Sequence, residues 1–262
     1  MKIKTFFSGA LAATLLCGCA TSGVYDRGVL LLTFDDRNYG GWETARPVFA
    51  KYGAHATFFV SGGFTDSNVR TLRLLAADGH SIGLHGFRHV NADDAIAKLG
   101  AERYYAEEIT PQTELAERYG VKCTSFAYPN CRRSDESDAL FRKKGFRRVR
   151  GGVKGATPYD PKGEKQAERR PLAVNDAVFF PAADIPNRFR IDTIIVGEAY
   201  HTDIDEICAC LRRAAERNEV ICITSHDIAP DAKHIHMKTE WLERILAEAK
   251  SLGLAMPGFD EL

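Results

Sequence analysis

Val29-Leu30-Leu31-Leu32-Thr33-Phe34-Asp35-Asp36 is a short apolar run that ends on two adjacent carboxylates. An apolar stretch of this length, without strict alternation, reads as a strand covered on both faces, as in parallel sheets. The same pattern recurs along the chain. Strands are expected at Ala54–Val60, Ser81–Leu84, Thr124–Ala127, from Phe146 to about Val149, at Ile191–Val196 and at Val220–Thr224. Between them lie stretches of helical periodicity: about Trp42–Lys51, Asn68–Ala77, Asp93–Tyr119 with a break near Pro111, and Asp135–Lys144. Ile204, Ile207, Leu211 and Ala214 stripe a helix for which Thr202 is the expected N-cap, and Trp241, Leu242, Ile245, Leu246, Ala249 and Leu252 stripe the last one. Repeated strand–helix units with apolar strands mean parallel β/α architecture. About seven units suit a parallel (β/α) barrel, a single domain over residues 28–262. The segment from about 151 to 190 carries five prolines and few periodic apolar positions, and is expected to be a loop-rich insertion.

The barrel is preceded by a different kind of segment. Lys2 and Lys4 come before an apolar run from Phe6 to Leu16, too short to span a bilayer as a helix. A positive start, a short apolar stretch and small residues read as a secretory signal over residues 1–18. Leu16-Cys17-Gly18-Cys19 resembles the cleavage box of bacterial lipoproteins. That resemblance implies lipidation of Cys19, residues 19–27 as a flexible tether, and a membrane-anchored protein of the cell envelope. Five further cysteines, Cys123, Cys131, Cys208, Cys210 and Cys222, are too many by one for complete pairing. Cys123 and Cys131 bracket a loop and could bridge, and Cys222 reads as a buried small hydrophobe.

Composition excludes some functions. Lys plus Arg and Asp plus Glu balance at 35 each, so no basic excess points to nucleic acid. No Gly-x-Gly-x-x-Gly follows the first strand, and no Gly-x-Ser-x-Gly elbow is present. What remains is a set of polar groups at strand ends, where parallel barrels collect their chemistry. Asp35-Asp36, His85-Gly86-Phe87-Arg88-His89, Tyr128-Pro129-Asn130 and His226-Asp227 each follow an expected strand. Singly, each could be a turn cap or a solvated residue. Together, two imidazoles and a carboxylate make a three-ligand site with an open position, the catalytic pattern for zinc and similar divalent ions.

These segments together resemble the polysaccharide deacetylase family, carbohydrate esterase family four. Thr33-Phe34-Asp35-Asp36, Gly79-His80-Ser81-Ile82-Gly83-Leu84-His85 with His89, Phe126-Ala127-Tyr128-Pro129 and Ile223-Thr224-Ser225-His226-Asp227 are similar to its motifs, and Gly253-Leu254-Ala255-Met256 to its closing strand. The resemblance implies a distorted (β/α) barrel and metal-dependent removal of N- or O-acetyl groups from an acetylated poly- or oligosaccharide. Asp36, His85 and His89 would bind one divalent ion, Asp35 would take a proton from metal-bound water, and His226 would protonate the leaving group. The backbone N–H of Tyr128 would help hold the oxyanion.

The chain also departs from the family. Gly86 stands where Ser or Thr is usual, and Arg37 where Gly is usual. Ala127 replaces the arginine that holds the base aspartate, leaving Arg37, Arg132 and Arg133 as substitutes. The family's aspartate partner for the acid histidine could be Asp176, Asp184 or Asp192. Two other functions compete: a non-catalytic glycan-binding lipoprotein on the same barrel, and a hydrolase of small non-peptide amides.

Overall fold

The computed structural model describes residues 25–153 and 171–262. The signal, Cys19 and most of the tether lie outside them, as does the middle of the expected insertion. Seven parallel strands close into a barrel: β1 (Val29–Asp36), β2 (Thr57–Val60), β3 (Ser81–Leu84), β4 (Ser125–Ala127), β5 (Arg148–Gly152), β7 (Arg190–Ile195) and β8 (Glu219–Ser225), with β8 pairing back to β1. The barrel is irregular at two places. β3 meets β4 only through Leu84 and Phe126. β7 meets β8 only at its upper end, through Ile194–Ile223 and Ile195–Thr224, while β6 (Phe179–Pro181) runs antiparallel along the lower part of β8. The described part of the proline-rich segment, residues 171–189, is otherwise made of short 3-10 turns.

The first strand shows why the sequence folds this way. Successive side chains of a strand face opposite sides. Leu30, Leu32 and Phe34 join Trp42, Phe49 and Phe58 in the layer between barrel and helices. Val29 and Leu31 face the interior with Phe59, Ala127, Ile191 and Cys222. Each side chain buried this fully contributes about 1.5–3 kcal/mol.

The outer layer comprises α1 (Tyr39–Tyr52), α2 (Asp66–Ala77), α3 (Ala92–Leu99), α4 (Ala101–Tyr104), α5 (Thr110–Arg118), α6 (Asp135–Lys143), α7 (Ile204–Arg217) and α8 (Thr239–Ser251). The long helical stretch breaks at Gly100, and again in a π-helical turn, Tyr105–Ile109, ahead of Pro111. Proline has no N–H and its ring crowds the preceding turn, so a wider turn there relieves the clash. The N-cap of α7 is Asp203, whose carboxylate accepts from the N–H of Asp205. Thr202, the expected cap, instead exchanges hydrogen bonds with the backbone of Gly197. The C-terminal Gly253-Leu254-Ala255-Met256 contributes one parallel bridge, Ala255 to Val29. Cys123 and Cys131 are both free thiols, so the bridge between them is not formed.

Candidate metal and catalytic centre

Because the barrel strands run parallel, their C-terminal ends share one rim. β1 delivers Asp35 and Asp36, β3 delivers His85 and the loop to His89, β5 delivers Arg150, and β8 delivers His226. Asp36 and His89 sit at φ 82° and 60°. Side-chain-bearing residues avoid that left-handed region, and the strain of holding them there collects at functional sites.

Nε2 of His85 and Nε2 of His89 lie 3.2 Å apart. Oδ1 of Asp36 is 3.9 Å from the first and 3.5 Å from the second. One donor atom from each of these three residues falls within 4.8 Å of the others. Donors at about 2 Å from a common ion would be separated by such distances, and two imidazoles with a carboxylate suit zinc or a similar divalent cation. Nδ1 of His85 bonds the Ala127 carbonyl at 2.8 Å. A carbonyl only accepts, so Nδ1 carries the proton and the lone pair of Nε2 faces the centre. Burial lowers the His85 pKa to about 4, against the opposing pull of Asp35. The ring is therefore neutral near pH 7, as a ligand must be.

Asp35 is 3% exposed. Its Oδ2 accepts from Nη2 of Arg150, itself 1% exposed, and lies 3.6 Å from His85 Nε2. Its Oδ1 is buried and has no hydrogen-bond partner among the described residues. Burial alone would raise the carboxyl pKa, but Arg150, with His85 and His226, holds it below the ordinary value. Asp35 is thus an anion with one oxygen pinned and the other free.

Arg150 is the residue that motif reading missed. None of the three expected arginines holds Asp35: Arg132 pairs with Asp93 and Asp94, Arg133 pairs with Asp135 and Asp138, and Arg37 lies against Gly62. The available signal was an arginine inside the short strand Arg148-Val149-Arg150-Gly151-Gly152, where a charge must find a partner.

His226 Nε2 stands 3.8 Å from Asp36 Oδ2. Its Nδ1 donates to the carbonyl of Ile235 at 3.1 Å, and its own carbonyl accepts from the Trp42 indole at 2.8 Å. The partner of the ring is therefore a backbone carbonyl and not one of the three expected aspartates. Asp176 pairs with Arg213 and Asp192 with Arg190. The expectation for Tyr128 also needs correction. Its N–H donates to the Arg150 carbonyl at 3.0 Å, and its hydroxyl to Asp138 at 2.8 Å. Neither group is free to meet an oxyanion, because β4 continues its pairing with β5 through this residue.

Residues 23–149 match the family model for polysaccharide deacetylase. The match spans just under half of the chain, and with the barrel and its strand-end residues it is a likeness to the polysaccharide deacetylase family. Among curated proteins, the uncharacterised protein YlxY of Bacillus subtilis is 31% identical over 88 residues, 34% of this chain and 26% of YlxY. An uncharacterised 30.6 kDa protein of Geobacillus stearothermophilus is 29% identical over 89 residues, 32% of this chain and 34% of that protein. The chain thus aligns with about a quarter to a third of the length of these relatives. Among solved structures, a Streptococcus mutans CE4 esterase has a TM-score of 0.57 at 19% identity, covering 89% of this chain and 86% of that one. The chitin deacetylase of the fungus Colletotrichum lindemuthianum has a TM-score of 0.56 at 18% identity, covering 88% and 85%. At these identities the likeness is one of fold.

Proposed function

We propose that the protein removes acetyl groups from a glycan by hydrolysis, using one divalent cation, zinc in our reading, held by Asp36, His85 and His89. The observation that carries this reading is the divided pair at the end of β1. Asp36 joins the two imidazoles, while Asp35, its Oδ2 3.6 Å from His85 Nε2, keeps Oδ1 unpaired among the described residues. A bound cation would polarise the acetyl carbonyl and acidify water at the same point.

The residues of this chain supply the rest. Asp35 accepts the proton of the attacking water, and Arg150 fixes its carboxylate through Oδ2, 3.6 Å from His85 Nε2, leaving Oδ1 without a competing partner among the described residues. His226, held through Nδ1 by the Ile235 carbonyl, presents Nε2 to donate a proton to the leaving nitrogen or oxygen. A protein that only bound glycans would have no need of the buried Asp35–Arg150 pair, so we set that reading second. We further propose that Cys19 is lipidated and anchors the barrel to the cell envelope. Fatty-acid labelling of wild type and Cys19→Ser tests it, and an unlabelled wild type would contradict it.

Metal-stripped protein, given zinc or other divalent cations and a panel of N- and O-acetylated glycans, should release acetate from at least one member only when metal is present. Stoichiometric zinc with no acetate from any glycan in the panel would favour the binding protein.

A further inference from the structure

The loop from His85 to His89 carries two of the three proposed ligands, yet it belongs to no helix or strand. Four consecutive backbone N–H groups in it are nevertheless bonded. His85 N–H donates to the Val60 carbonyl at 2.8 Å and Phe87 N–H to the Glu108 carbonyl at 3.0 Å. Gly86 N–H donates to Gln112 Oε1 at 3.1 Å, and Arg88 N–H to Glu108 Oε2 at 2.8 Å. Three of the four acceptors thus come from Glu108 and Gln112, at the junction of the π-helical turn and α5.

Both side chains are buried, Glu108 at 1% exposure and Gln112 at 0%. Gln112 Nε2 in turn donates to the carbonyls of Val60 and Gly62 at 2.6 and 2.8 Å, which ties the loop to the end of β2. The second oxygen of Glu108 accepts from Nε of Arg88. Burying a carboxylate is costly unless it is paired and hydrogen-bonded, and here its side-chain partners are the loop's own Arg88. The departure at Gly86 fits the same arrangement. Gly86 takes φ 82°, and a Cβ there would stand 3.3 Å from Glu108 Oε2. A side chain at this position would press on the carboxylate that holds the loop.

We propose that Glu108 and Gln112 are positioning residues that set the His85–His89 loop in its ligating geometry before any metal arrives. This rests on the proposed metal centre. The clamp orders the backbone on both sides of Gly86 and so fixes where the two imidazoles start. Removing it leaves the ligands in place chemically but makes the ion bear the entropy of ordering the loop.

The test uses zinc affinity by calorimetry and amide hydrogen exchange, neither of which depends on turnover. In metal-free wild type, the amides of Gly86, Phe87 and Arg88 should be protected. Glu108→Ala should weaken zinc binding tenfold or more, the usual cost of losing an outer partner of a metal ligand. Glu107→Gln, which alters the other, outer carboxylate bonded to Arg88, should leave it within twofold. Should Glu108→Ala fail to fold, the wild-type exchange measurement still decides. Amides that exchange freely without metal and become protected with zinc would overturn the proposal, as would unchanged affinity in Glu108→Ala. A wild type that binds no zinc would instead bring down the metal-centre reading itself.

Discussion

Arg150 in the middle of β5 donates through Nη2 to Oδ2 of Asp35 at the end of β1, and both side chains are almost wholly buried. The guanidinium reaches across the barrel interior from a strand that does not adjoin β1. It holds the carboxylate for which the family resemblance expects an arginine at the position of Ala127.

Removing Arg150 should therefore act on Asp35. Burial is the largest influence on this carboxyl and raises its pKa, and Arg150 is the first influence opposing it. Without the guanidinium the pKa should rise, and Asp35 should become protonated at a higher pH. In Arg150→Met the acidic limb of kcat/KM should move to higher pH, with activity at neutral pH down about a hundredfold. An uncompensated buried carboxylate should also cost about 3–5 kcal/mol of stability. A pH–rate profile beside a denaturant titration checks both. An unshifted acidic limb would mean that Asp35 is not the group titrating.

The two aspartates should separate by their effect on metal. Asp36→Ala should lose both metal and activity. Asp35→Asn should lose activity and keep the metal, because the base is not needed to hold the ion. Metal content per protein, measured on both variants, decides this. Equal metal loss in Asp35→Asn would reverse the assignment of the pair.

His226 should matter in proportion to the leaving group. An amide nitrogen leaves poorly unless it is protonated, whereas an aryl acetate releases a stable phenolate. His226→Ala should therefore cost an N-acetyl substrate roughly a hundredfold or more, and an aryl acetate far less. Equal losses on both substrates, with a fall in metal content, would make His226 a ligand or a structural group.

A pH effect on stability should arise away from the centre, at His80. Its Nδ1 accepts from the Ala56 N–H at 3.0 Å, and its ring meets those of Phe49 and Phe58 edge to face. Burial lowers its pKa from 6.5 to about 4. Below pH 6.5 the unfolded chain binds a proton that the folded chain refuses. The contribution of His80 is thus fully present above pH 6.5 and is lost as pH falls towards 4. Stability of the wild type should drop by about 2–3 kcal/mol more than that of His80→Gln across this window. Parallel stability–pH curves would show that His80 does not titrate this way.

Much of this protein is legible along the chain because its signals are local. The apolar run Val29–Phe34 names a buried strand, and Asp35-Asp36 and His85-x-x-x-His89 are contiguous, so spacing alone places them at strand ends. The N-cap of α7 is also a local matter, but two adjacent candidates, Thr202 and Asp203, compete and the carboxylate prevails. Arg150 is a different case. Its partner is 115 residues away, and only closure of the barrel brings the two together. The carbonyl of Ile235 that holds His226, and the Arg150 carbonyl that occupies the Tyr128 N–H, are backbone groups with no signature in residue identity.

The central claim is that this one centre hydrolyses acetyl groups, and balanced product measurement tests it most directly. Zinc-loaded wild type should release acetate and expose one free amine or hydroxyl on the glycan for each acetate, while Asp35→Asn, loaded equally, should release almost none. Zinc-loaded wild type that releases no acetate, or Asp35→Asn that releases it at the same rate, would contradict the account.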